Sequence, residues 1–143
     1  MITAQKKQTD VKSTKETKVS ESMAERLSAP LLTFNLAAEI AELHKEEHWL
    51  KDGKISKTLV KHSDFRIVLI LMKAGALMQE HRTDARISIQ ALSGRLVVQL
   101  PGQTVELPAG QLLVLEKSLS HDVAALEESA VLLSISWPHG IEQ

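Results

Sequence analysis

Glycine and proline punctuate the second half of this chain so evenly that few folds can accommodate it. From Ile55 onward the segments are short and rich in Val, Ile and Leu. They are broken by His62-Ser63-Asp64, Ala74-Gly75, Ser93-Gly94, Pro101-Gly102, Pro108-Ala109-Gly110 and Glu127-Glu128. Turn signals recurring at intervals of about 7 to 19 residues, with no helical pattern between them, predict an antiparallel β-sandwich or barrel. One segment constrains the packing further. Phe65 to Met72 is apolar on both alternating faces, with Ile67, Leu69 and Leu71 on one and Val68, Ile70 and Met72 on the other. A strand of that kind must be covered on both sides. In a closed antiparallel shell only one face reaches the interior, so the outer face is expected to meet a helix or a second subunit.

The chain ahead of the strands supplies that helix. After Pro30, Asn35 is placed to cap, Glu39 falls in the first turn, and Leu36, Ile40 and Leu43 repeat at helical spacing. The pattern predicts a helix over residues 36 to 47, with Glu39, Glu42, Lys45 and Glu46 off its narrow apolar stripe, followed by a turn at Asp52-Gly53. Residues 1 to 28 alternate Lys, Gln, Thr, Ser and Glu with few aliphatics. They cannot bury enough surface to offset the entropy of ordering, and are read as a disordered arm. The expected organisation is therefore an arm over 1–28, a helix and linker over 29–54 packed on the barrel, and a barrel over 55–143.

Composition narrows the function classes. At 143 residues and 43% apolar the chain has the size and content of one globular domain. Its 17 basic against 18 acidic residues make no overall field that would recruit nucleic acid or an anionic membrane. Cysteine is absent, which removes disulfides, thiolate nucleophiles and sulfur-based zinc sites. The longest aliphatic run, Ile67 to Met72, is far short of the roughly 18 residues that span a bilayer, and the N-terminus has no apolar signal core. A cytoplasmic location is expected.

The punctuating residues also form a pattern. Gly75, His81 and Gly94 fall on the first glycine, first histidine and closing glycine of G-x5-H-x-H-x3-E-x6-G, and Gly102, Pro108, Gly110 and His121 fit a second motif that begins G-x5-P-x-G and carries a later histidine. Over residues 55 to 137 the chain resembles the cupins. The resemblance implies an all-β jelly roll, a double-stranded β-helix barrel preceded here by a short helix and the arm. It implies an interior site and, in many such families, a homodimer. It also implies a divalent metal (Fe, Mn, Ni or Zn) held by three histidines and a glutamate. Here Thr83 stands at the second histidine and Ile87 at the glutamate.

Strand parity sets Gln79, His81, Thr83 and Ile87 inward, with His121 approaching from the second motif. These residues nominate Gln79, His81, Thr83 and His121 as the ligand pocket and His81 and His121 as metal ligands. In a register shifted by one residue, Ser88 takes the glutamate position and Gln90 joins the inward face, while a bulge would re-aim Asp84 or Glu80. The leading expectation is a small polar molecule bound inside the barrel with an incomplete or absent metal site. The alternative is a metal-dependent dioxygenase, isomerase or decarboxylase acting on a small organic acid, with a water, Gln79 or Asp84 completing the ligand set. A third reading is a dimeric regulatory module whose arm contacts a partner.

Other motifs are weaker. His44-Lys45-Glu46-Glu47-His48 matches the H-x-x-E-H pattern of inverted zinc peptidases, but it sits at the end of a short helix in a chain with no room for a peptidase cleft. His62 and His139 read as loop or tail residues. No phosphate-cradling glycine loop or nucleophile elbow occurs, and four aromatic residues are too few for stacking platforms on sugars or single strands.

Overall fold

In the computed structural model the described residues are 29–79 and 84–138. Two helices lead into nine strands. The helices are α1 (Leu36–His44) and α2 (Glu47–Asp52). The strands are β1 (Lys54–Lys61), β2 (Phe65–Met72), β3 (Leu77–Gln79), β4 (Arg86–Ser93), β5 (Arg95–Leu100), β6 (Gln103–Pro108), β7 (Leu112–Leu115), β8 (Asp122–Ala125) and β9 (Ser129–Ser136). Pairing is antiparallel throughout. A five-stranded sheet has the order β1-β2-β9-β4-β7 and a four-stranded sheet the order β3-β8-β5-β6. The two close face to face as a jelly roll, the all-β architecture that the turn spacing implies. Each of the six turn signals separates two consecutive strands. No helix among the described residues is long and apolar enough to cross a membrane.

Alternation divides the five-stranded sheet into two packed faces. Ile70, Met72, Ile89, Val131 and Leu133 point inward against Leu96, Val98 and Val123 of the other sheet. The opposite phase of β2, Ile67, Leu69 and Leu71, lies in a second cluster with Leu43, Trp49 and Leu59. The helices are therefore what covers the outer face of β2, as its two-sided apolar pattern demands.

The helical segment differs from the expected single helix over 36 to 47. Asn35 does cap α1, its Oδ1 accepting from the Ala38 amide at 3.1 Å. The helix then stops at His44 and a second begins at Glu47. The reason is geometric. At about 100° per residue, Leu36, Ile40 and Leu43 lie on one stripe, whereas Trp49 on the same continuous helix would point to nearly the opposite side. Breaking the helix at Lys45-Glu46 returns Trp49 to the sheet, where both Leu43 and Trp49 are buried. Burying each such side chain is worth about 1.5–3 kcal/mol.

Candidate functional site

The strand ends that bring residue 121 into the barrel define one open end of it. There β2 and β4 begin, β9, β7 and β5 end, and β8 starts immediately after His121. The register across the five-stranded sheet at that end runs Arg66, Ile135, Ile87, Leu115. Paired residues share a face, so these four belong to one row. Ile87, Leu115 and Ile135 belong to the inter-sheet core, which fixes the row as inward-facing.

His121 reaches this end from the four-stranded sheet. Val123 and Ala125 face the core, so the preceding odd position faces it as well. The ring is 3% exposed. Its Nδ1 lies 3.0 Å from the Leu119 carbonyl oxygen. A carbonyl can only accept, so Nδ1 carries the proton, and in the neutral ring Nε2 presents a lone pair. That Nε2 is buried and has no hydrogen-bond partner among the described residues. The loop that delivers it is shaped by Ser118, whose φ of 65° makes it the non-glycine residue in the left-handed region among those described. Such a conformation costs about 1–2 kcal/mol, and cooperative packing must hold it.

The other expected site residues fare differently. Gln79 does not face the interior. Met78 opposite Val123 packs on the core instead, and Gln79, opposite Asp122, is exposed. The parity chosen from sequence was one residue out because β3 takes its phase from pairing with β8. His81, Thr83 and Glu80 lie outside the described residues. Ile87 is inward and 3% exposed, so an aliphatic wall stands at the carboxylate position of the motif. The shifted register is overturned: Ser88 and Gln90 alternate with the buried Ile87 and Ile89 and point to the outer face. Asp84 is exposed.

The H-x-x-E-H match dissolves into two helices, since His44 closes α1 and His48 lies in α2. His44 packs edge-on to Trp49 with ring centres 5.2 Å apart, and its Nε2 lies 3.3 Å from Glu128 Oε2. His62 is exposed in the β1–β2 turn, and His139 lies outside the described residues.

One site residue escaped the sequence reading. Arg66 is in phase with Val68, Ile70 and Met72, while Phe65 and Ile67 belong to the outer cluster, so a guanidinium enters the barrel mouth. Its carbon Cζ stands 5.3 Å from the centre of the Trp137 ring, and its Nε is buried with no partner among the described residues. The signal was present: a charged residue stands at a core position of an otherwise apolar strand. On the outer rim, Arg86 makes a two-pronged pair with Glu116, its Nη2 3.0 Å from Oε1 and its Nε 3.2 Å from Oε2. Hydrogen bonds from Arg86, and then its charge, hold the Glu116 carboxyl below the usual carboxylate range.

A divalent ion is the group that this architecture most readily suggests, and the described residues do not fit one. Among them no three His, Asp or Glu side chains gather at one point, and the buried Ile87 holds the carboxylate position of the motif.

No family model matches the chain, and no curated protein matches it. Its structure nevertheless has clear relatives. An RmlC-like cupin protein from Desulfovibrio desulfuricans superposes with a TM-score of 0.56 at 23% identity, over 64% of this chain and 90% of that one. A cupin superfamily protein from Desulfitobacterium hafniense gives 0.62 at 16% identity, over 78% and 95%. Salicylate 1,2-dioxygenase from Pseudoaminobacter salicylatoxidans gives 0.67 at 13% identity, over 77% of this chain but 37% of that one. These likenesses show the fold.

Proposed function

We propose that this chain, folded as a small cupin, binds a small polar molecule at the open end of its barrel, with His121 as the side chain that grips it. One observation carries the reading. The buried Nε2 of His121 is held in place by the Nδ1 bond to Leu119 and is left without a protein partner among the described residues. A buried polar atom left unpaired costs about 1–3 kcal/mol, and a ligand that donates a hydrogen bond removes that cost. His121 is buried at one end of an aliphatic core, where a single hydrogen bond to a ligand orients it strongly. His81 and Thr83, expected on the same site from the motif, would add polar contacts.

A divalent-metal enzyme acting on a small organic acid is the second reading. It is favoured by the way a backbone carbonyl fixes the far nitrogen of His121, an arrangement that also presents imidazoles to metals. The donors would have to come from outside the described residues, and no chemical step is assigned to a metal here.

The two readings are tested on the full-length chain. Titration with glycerol, lactate and lactamide, followed through the His121 ring resonances by nitrogen NMR, should shift that ring with at least one compound, and His121→Ala should abolish the binding. If all three leave the ring unmoved, pocket binding is refuted. Stoichiometric Fe, Mn, Ni or Zn in protein purified without chelators, lost in His121→Ala, would establish the metal reading in its place.

A further inference from the structure

Arg66 Nε and His121 Nε2 are the two buried side-chain polar atoms without a partner among the described residues, and both residues stand at strand ends on the same end of the barrel. They arrive from opposite walls. Arg66 stands on β2 of the five-stranded sheet, and His121 leads into β8 of the four-stranded one. Two independent strand phases thus bring these side chains to the same end of an inter-sheet core whose buried cluster is aliphatic.

The chemistry of the two groups is complementary and specific. Trp137 lies against the guanidinium at 5.3 Å and occupies the cation's face, while the Arg66 Nε has no partner among the described residues. No carboxylate among the described residues pairs with Arg66: the ion pairs there use His44, Lys45, Lys57, Arg86 and Arg95. The acidic residue nearest in sequence, Asp64, is exposed in the turn, where its backbone oxygen accepts from the Trp137 amide. A guanidinium with Nε unpaired offers the edge formed by Nε and one terminal nitrogen, a fork that matches the two oxygens of a carboxylate. Across the mouth, His121 has its Nδ1 proton committed to Leu119, so Nε2 of the neutral ring accepts a bond and calls for a hydroxyl.

We propose that the barrel mouth takes a small hydroxycarboxylate, its carboxylate on Arg66 and its hydroxyl on His121. The inference rests on the pocket reading above and adds to it the charge class of the ligand and a second residue that holds it. Arg66 acts here as a binding residue, and the open rim leaves the rest of the ligand unspecified.

Lactate and lactamide test the proposal on the full-length chain, because they share shape and hydroxyl and differ in charge. Lactate should bind at least about tenfold more tightly than lactamide, the worth of one charge-assisted pair. Arg66→Gln should abolish the preference for lactate over lactamide. Arg66→Lys keeps the charge without the fork and should restore part of the difference. Equal affinities in the wild-type chain, or a preference for lactate that survives Arg66→Gln, would overturn the assignment of Arg66 while leaving a neutral-ligand pocket at His121 standing. If neither compound moves the His121 ring the assignment of Arg66 falls, and if glycerol also leaves it unmoved the pocket falls with it. The wild-type comparison needs no variant, so the test holds even if a substitution at Arg66 impairs folding.

Discussion

Gly94 is the position at which the fold's geometry makes its sharpest quantitative demand. It turns β4 into β5 with φ at 81°, and a Cβ added there would collide with the Ser129 hydroxyl and the Glu128 carbonyl oxygen, and would lie 2.7 Å from Ser129 Cα. Two of those three obstacles are backbone, so no side-chain rotation clears them. Ser129 is itself buried and bonded on two sides, its Oγ accepting from the Arg95 amide at 3.1 Å and donating to the Glu127 carbonyl at 2.8 Å. Gly94→Ala therefore incurs about 1–2 kcal/mol for the left-handed backbone and about 1–3 kcal/mol for a strained or lost buried hydrogen bond. A total on the order of 2–5 kcal/mol is expected. Gly110 supplies the control. Its φ is 90°, but an added Cβ there meets nothing within 4 Å, so Gly110→Ala should cost only the backbone part, about 1–2 kcal/mol. Urea unfolding followed by tryptophan fluorescence reads both, with an unchanged m-value confirming that the folded state is the one affected. The double variant Gly94→Ala with Ser129→Ala should recover little, because the backbone contacts persist. Equal losses at the two glycines, or full rescue by Ser129→Ala, would refute the close-approach explanation.

Trp49→Ala should cost about 3–5 kcal/mol, since it empties the cluster between the helices and the outer face of β2, and calorimetry should show the matching fall in unfolding temperature. The Arg86–Glu116 pair predicts a pH effect of definite sign. With the folded carboxyl held below the usual range, its stabilising contribution is present above the unfolded value and fades as pH falls through the lower, folded value. Carbon NMR titration of Glu116 should show this lowered midpoint, and Arg86→Gln should return it to the ordinary range; both groups are exposed, so the change in global stability should be small. Ile87→Glu would place a carboxylate where the motif has one, but into an aliphatic row, and should destabilise the barrel by several kcal/mol. Recovery of that loss on adding Fe, Mn, Ni or Zn would show that the mouth can still assemble a metal cage, contrary to the mismatch described here.

The fold was legible because its determinants are local or periodic. The turn residues fall between consecutive strands as read, Asn35 caps α1, and the two-sided apolar pattern of β2 required a cover; of the two expected, a helix or a second subunit, it is here the helices. The misreadings share a cause: they depended on phase, which is set by partners distant in sequence. Gln79 was placed inward by counting from the motif, yet pairing of Met78 with Val123 gives that face to Met78. The helix was extended through Lys45-Glu46 because local spacing permitted it, whereas the sheet beneath requires Trp49 to turn back.

Arg66 shows how phase, once anchored, turns a fold into a statement about function. In the sequence it reads as the polar edge of an apolar strand. Once Phe65 and Ile67 are assigned to the outer cluster, and Val68 and Ile70 to the inner one, no outward position remains for it. A guanidinium directed into an aliphatic barrel is costly unless something answers its donors. Trp137 answers its face, and Nε has no partner among the described residues. The same reasoning applies to His121, whose one satisfied nitrogen fixes the direction of the other. A scaffold selected only for stability gains by filling these positions with the leucine and isoleucine that line the rest of the row. Their nitrogens, unpaired among the described residues, are the groups that the proposed ligand would answer.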